Sequence, residues 1–260
     1  MKSLILIFAI VVSGLSLGSS LETTFKKVSN ILERRHKKAS TAVVGVRRSK
    51  AIQGFFDGTS KDKVKDLKKI EKMSLHTHTK YKMDEMCVIN DKGHEVARIV
   101  NNQIAPASDL SKEEASAPFF APTFKLADKK VHIESPYMSP DSERFVIAYT
   151  TPVYVGDKIP ALVHYEKYFG LYVDDIKRNF LSADFYALVV DESGYVWADT
   201  RKTLNYNIAE GKEEPSAYFQ KADAELLAGI KKGGSGSYKS KKFFAGPFPA
   251  LNMMLVIAEK

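Results

Sequence analysis

The chain has 260 residues, enough for one large or two small domains, and its 39 Lys and Arg against 31 Asp and Glu give a formal net charge of +8. The single cysteine, Cys87, excludes an intramolecular disulfide, so packing alone must stabilise the fold. The positive charge gathers in the N-terminal third (Arg34, Arg35, Lys37, Lys38, Arg47, Arg48, Lys50, then Lys61 through Lys72). A solvated helical face accounts for it, with attraction to anionic lipid or cell-surface polymer as the sharper alternative. No recognition motif points to nucleic acid.

Lys2, the apolar run Leu4 to Leu17 and the small residues Gly18, Ser19 and Ser20 read as an export signal over 1–20. The run is shorter than the roughly 20 residues a spanning helix needs. A periplasmic or extracellular protein is therefore expected, with a retained N-terminal tether as the alternative. The polar ending Ala258-Glu259-Lys260 carries no effector region, so any signal is expected to pass through a separate partner.

Leu21, Phe25, Val28, Leu32, Ala39, Ala42, Val43 and Val46 recur at helical steps, predicting a helix from Leu21 to about Lys50. Gly54-Phe55-Phe56-Asp57-Gly58 breaks that pattern. A second helix is predicted from an N-cap at Ser60 to about Leu75, with Asp62 in its first turn. The period then shortens. Met86 to Ile89, the turn Asn90-Asp91-Lys92-Gly93 and His94 to Val100 read as strand, turn, strand. The same unit returns as Ala187 to Val190, Asp191-Glu192-Ser193-Gly194 and Tyr195 to Asp199, an internal repeat. Further strands are predicted at Val131 to Ser135, Arg144 to Val155, Ala161 to Glu166, Tyr238 to Phe244 and Asn252 to Ala258. Helices are predicted at Tyr168 to Leu181 and Ser216 to Ile230. Gly233-Gly234-Ser235-Gly236 reads as a flexible turn, and Gly211 to Pro215 as a second break. The result is a long helix feeding two small antiparallel α+β domains, each able to keep a cleft on one sheet face.

Cys87, inside an apolar run, reads as a buried inert thiol. His76-Thr77-His78 could offer two imidazoles from an extended segment, but only His94 and Asp84 stand near as further donors, and surface histidines are the simpler reading. Trp197 reads as core, with stacking on a ligand in the second domain's pocket as the alternative. No nucleophile elbow, cysteine–histidine pair or HExxH is present, so no catalytic residue, cofactor or metal is expected.

In the order of these elements the chain resembles the double Cache family, the tandem PAS-like extracytoplasmic sensor modules of bacterial and archaeal receptors. The long N-terminal helix, the hairpin ending near Arg98, Ser135-Pro136-Tyr137-Met138-Ser139 and Thr151-Pro152-Val153 carry the resemblance. Leu162-Val163-His164-Tyr165-Glu166 and Val190 to Val196 complete it. It implies an α+β fold with a long N-terminal helix and two tandem PAS-like (Cache) antiparallel-sheet domains. The implied division is a helical region at 21–82, a membrane-distal ligand-binding domain at 83–166, a linker helix at 167–183 and a membrane-proximal domain at 184–260.

Family members that bind amino acids or amines carry an arginine, a Trp-Tyr pair two residues on, and a later Tyr-x-Asp. Here Ala117 takes the arginine's place, Phe119-Phe120 the aromatic pair, and Ser139 follows Tyr137 where the acid belongs. The resemblance therefore implies a small organic ligand other than an ordinary α-amino acid. Its implied pocket is aromatic and mostly neutral: Phe119, Phe120, Phe124, Tyr137 and Tyr149, with Ser139 and Thr151 as hydrogen-bonders and Arg98 and Arg144 as cations for a carboxylate. It further implies a separate membrane receptor or sensor kinase as partner; a homodimer through the N-terminal helix is a separate expectation from the basic helix itself. The competing expectation is a structural or surface-interaction protein of the envelope whose pocket is vestigial and whose aromatics are plain core.

Overall fold

The computed structural model describes residues 12–140, 142–180, 184–204, 206, 216 and 218–260. Most of the expected export signal, and the break at Gly211 to Pro215, lie outside the described residues. Among the described residues no helix is long and apolar enough to cross a membrane.

Helix α1 runs Val12–Arg47, longer at its start than the periodicity predicts. The segment read as a break is instead a short helix, α2 (Lys50–Asp57), because Ser49 caps it through bonds from the amides of Ala51 and Ile52. Gly58 stops it at φ 77°. The next helix, α3, spans Lys63–Tyr81 and is capped by Asp62 rather than Ser60. It carries His76 exposed and His78 buried, so the two imidazoles do not share a face as an extended segment would have placed them.

Residues Arg34–Leu171 make up one compact unit, and α1 as far as Glu33 belongs with the C-terminal part in the other. Among the described residues the first unit holds seven strands: β1 (Glu85–Asn90), β2 (Glu95–Val100), β3 (Gln103–Ile104), β4 (His132–Ile133), β5 (Tyr137–Ser139), β6 (Arg144–Val155) and β7 (Lys158–Tyr168). They are ordered β3-β2-β1-β7-β6-β4, with β5 also paired to β6. One sheet face carries Met86, Val88, Val163, Tyr165, Ile147 and Tyr149, packed toward α1, α2 and α3. Tyr149 stacks on Tyr165 and bonds His36 of α1, its Oη 2.6 Å from Nδ1. The opposite face meets the segment containing the short helix α4 (Phe120–Thr123), where the Thr123 and Thr150 hydroxyls lie 2.5 Å apart.

The second unit contains α5 (Phe169–Phe180) from Tyr172 on, β8 (Phe185–Asp191), β9 (Val196–Asp199), α6 (Ala224–Lys232), β10 (Gly234–Tyr238), β11 (Lys241–Pro247) and β12 (Met253–Glu259). Its sheet order is β10-β11-β12-β8-β9. The glycine run predicted as a turn is strand β10. Gly236 there is required by close approach, since a Cβ would sit 2.4 Å from Cζ of Phe243. The helix predicted from Ser216 begins only at Ala224, where Asp223 caps it.

The repeat read from the sequence is a structural one. Asn90 and Asp191 each close their hairpin with a side-chain oxygen that accepts the amide four residues on. Gly93 (φ 79°) and Gly194 (φ 89°) turn the chain, and both first strands shift register at the following pair, Val88/Ile89 and Val189/Val190. The two sheets also share strand order: β2-β1-β7-β6 corresponds to β9-β8-β12-β11.

The helix contact through His36 supplies a pH prediction. Burial lowers the His36 pKa from 6.5 to about 4, so the folded unit keeps this imidazole neutral. The unfolded chain takes up the proton first. Stability is thus complete above pH 6.5 and falls between 6.5 and 4, by up to about 3 kcal/mol from this group. Urea midpoints followed across that window should show a shallower acid slope for His36→Gln than for the native chain. An identical slope contradicts the assignment.

Candidate functional site

The duplicated fold supplies its own control. In the second unit, Tyr186 and Leu188 of β8 stand opposite Ala258 and Val256 of β12, and the face closes as an apolar core with Val190, Ile230, Phe243 and Ala245. The corresponding pairs in the first unit are Glu85–Glu166 and Cys87–His164. Sheet geometry does not require these polar groups, because the same fold closes without them. Burying them costs free energy unless they are paired or used. Asp199, across from Leu188, is the polar counterpart in the second unit, and Arg201 holds it through Nη2 at 2.8 Å from Oδ2.

The first-unit residues form one network. Glu85, Glu95, His164 and Glu166 are all at most 7 % exposed. Arg98 of β2 places Nε 2.9 Å from Oε1 of Glu85, and the Cys87 thiol donates to the same oxygen at 3.2 Å. Ser111 donates its amide to Glu95 Oε2 at 2.7 Å, and Tyr137 donates its hydroxyl to Glu166 Oε1 at 2.5 Å. His164 places Nε2 3.6 Å from that Glu166 oxygen and stacks flat on Phe119, centroids 4.1 Å apart. Burial, reinforced by Arg98, pulls its pKa down to about 3, so it is a neutral ring. Burial and then Glu166 push the Tyr137 phenol well above its ordinary value.

Beside this network lies a cavity of about 360 Å³, lined among others by Glu85, Glu166, Val146, Ser142, Arg144 and Tyr168. Tyr137 is not among the lining residues and meets the cavity only through two that are, its cross-strand partner Val146 and its hydrogen-bond partner Glu166. The volume is at the small end of the range for small-molecule sites.

The expected site residues separate by position. Tyr137 is in the network, and Phe119 closes over it with 1 % exposure, packed against Cys87, Ile89, Ala148 and Leu162. Ser139 is buried opposite Arg144, whose guanidinium lies 5.3 Å from the Tyr168 ring centroid at the cavity. Phe120 and Phe124 pack on each other 4.8 Å apart, half-buried at the edge of the Phe119 cluster. Tyr149 and Thr151 alternate onto the helix face, Tyr149 bonding His36 and Thr151 bonding the Lys130 carbonyl. Arg98 lies against Glu85 in the network. The sequence reading missed Glu85, Glu95, His164 and Glu166, and with them the acidic character of the site.

No family model and no curated protein matches this chain. Solved structures do. The sensory domain of the Campylobacter jejuni chemoreceptor Tlp3 with isoleucine bound is 11 % identical, with a TM-score of 0.70 over 94 % of this chain and 93 % of that one. A domain of a putative sensory box/GGDEF family protein from Vibrio parahaemolyticus is 15 % identical, TM-score 0.69, covering 94 % of each chain. The V. cholerae histidine kinase DctB sensor domain is 10 % identical, TM-score 0.64, over 94 % of this chain and 97 % of that one. The chain has the fold of these Cache-type sensory domains: an N-terminal helix followed by two antiparallel sheets.

Proposed function

We propose that this chain is an exported sensory module of the double Cache kind. In this reading the first unit is the membrane-distal domain and takes a small organic ligand in the cleft beside Tyr137. A separate membrane receptor or sensor kinase reads the result, and no reaction is catalysed. The observation that carries the reading is the cavity against Glu85 and Glu166, on a sheet face that the second unit fills with apolar side chains. Buried carboxylates favour a ligand with a cationic group, and Arg144 and Ser142 at the same cavity suit an acceptor at its other end. Tlp3 was crystallised with isoleucine. Here Ala117 and Ser139 replace two charged anchors, so ordinary α-amino acids are not the expected ligands.

Capture would pass to the helix by a short route. Thr150 of β6 lies on the cleft face, and the adjacent Tyr149 holds His36 of α1 from the other side. A ligand shifts that contact only by binding two arrangements with different affinity. The filled Phe119–His164 stack favours the competing envelope role with a vestigial pocket, and the neighbouring cavity speaks against it. A thermal-shift screen separates the two readings. A small ammonium compound at about 100 times its Kd should stabilise the protein by about 2.7 kcal/mol, while alanine, valine and isoleucine leave it unmoved. A clear shift with those amino acids, or none with any cation, contradicts the proposal.

A further inference from the structure

We infer that the first unit also holds a zinc-class divalent metal ion, bound by Glu85, Cys87 and Glu95, with the neighbouring His164, which stands outside that three-donor group, turning in on binding as fourth donor. One donor atom from each of Glu85, Cys87 and Glu95 lies within 4.8 Å of the others, and all three residues are buried. The independent observation is His164. It is 2 % exposed, and neither ring nitrogen has a hydrogen-bond partner. A neutral imidazole carries one N–H, and leaving it unsatisfied in a core costs about 1–3 kcal/mol. Strand register sets His164 directly opposite Cys87 on the same face. A metal ion gives such a nitrogen its partner.

The donor set fixes the class of ion. Thiolate and imidazole with carboxylates suit zinc, cobalt or nickel and not calcium or magnesium, whose ligands are oxygens. Metal–ligand distances of about 2.0–2.3 Å imply donor separations of about 3.5 Å, so the cluster must contract by roughly 1 Å on binding. The charges then close. The thiol proton leaves to solvent, and the thiolate with two carboxylates is offset by the divalent ion and Arg98, whose Nε already orients Glu85. In the second unit Tyr186, Leu188 and Val256 occupy the places of Glu85, Cys87 and His164, so the same positions there offer no such set. The inference shares Glu85 with the ligand reading but not the thiol, so the two are separated by probes that report on Cys87 and on the cleft.

The test uses untagged full-length protein stripped with a chelator and titrated with cobalt. Folded native protein should develop a thiolate-to-cobalt charge-transfer band saturating near one ion per chain and displaced by zinc. Cys87→Ser should lose the band and bind zinc at least about 100-fold more weakly. Should that variant fail to fold, His164→Asn provides the same decision, keeping the band but with weakened zinc affinity. A folded native chain without the band, or zinc affinity unchanged in the folded variant, overturns the inference. The ammonium screen repeated on stripped protein keeps its failure distinct from failure of the ligand reading.

Discussion

Replacing Arg98 with methionine is expected to cost about 3–5 kcal/mol at neutral pH and progressively less as the pH is lowered toward 4. The guanidinium is 11 % exposed and lies against Glu85, itself 5 % exposed by side chain, with Glu95 close by. Removing one member of a buried pair leaves the other charge without compensation, which is the costly way to break it. The stranded carboxylates would then be held above their ordinary pKa by burial and mutual repulsion. Their protonated forms become favoured in the fold, so the variant regains stability as pH falls through those raised values. Urea denaturation at several pH values measures both features. A loss that does not vary with pH would mean that Arg98 matters through packing of its stem and not through charge.

Phe119→Ala should cost a comparable amount, about 3–5 kcal/mol, for removing a fully buried ring and leaving a hole. The hole opens over His164 and beside Tyr137, whose ring centroid is 6.1 Å from that of Phe119. Apolar cavities of this kind stay dry and take up small aromatic molecules. The variant should therefore recover part of its lost stability in the presence of indole or benzene, measured as a rise in Tm absent from the native protein. No recovery, together with a loss below about 1 kcal/mol, would show that the loop carrying Phe119 collapses onto the sheet and that the ring is not what closes this face.

What the sequence displayed and what it hid follow from the same strand geometry. The two hairpins were legible because their turn chemistry is local. Asn90 and Asp191 each bond their own turn, and Gly93 and Gly194 take positive φ whatever the rest of the fold does. Helices α1 and α3 were legible from their spacing, whereas α2 was not, because Gly54 to Gly58 read as a break. Helix ends were less legible, because Ser49 and Asp62 are caps chosen among several eligible residues nearby. The site was mostly hidden. A sheet buried on both faces gives strands that are buried at nearly every position, as in β6 and β7, so side cannot be read from alternation. Tyr149 was assigned to the cleft and Glu166 was not, although register places them on opposite faces in the reverse sense. Aligning the two repeats residue by residue is the signal that could have found the site, since it sets Glu85 against Tyr186 and His164 against Val256.

Mass spectrometry of small molecules released on denaturing the purified chain asks most directly whether the cleft beside Tyr137 is occupied. The expected result is a single organic cation recovered near one per chain from the native protein and absent from Glu166→Gln prepared in parallel. Recovery of an ordinary α-amino acid, or of nothing from either preparation, contradicts the account.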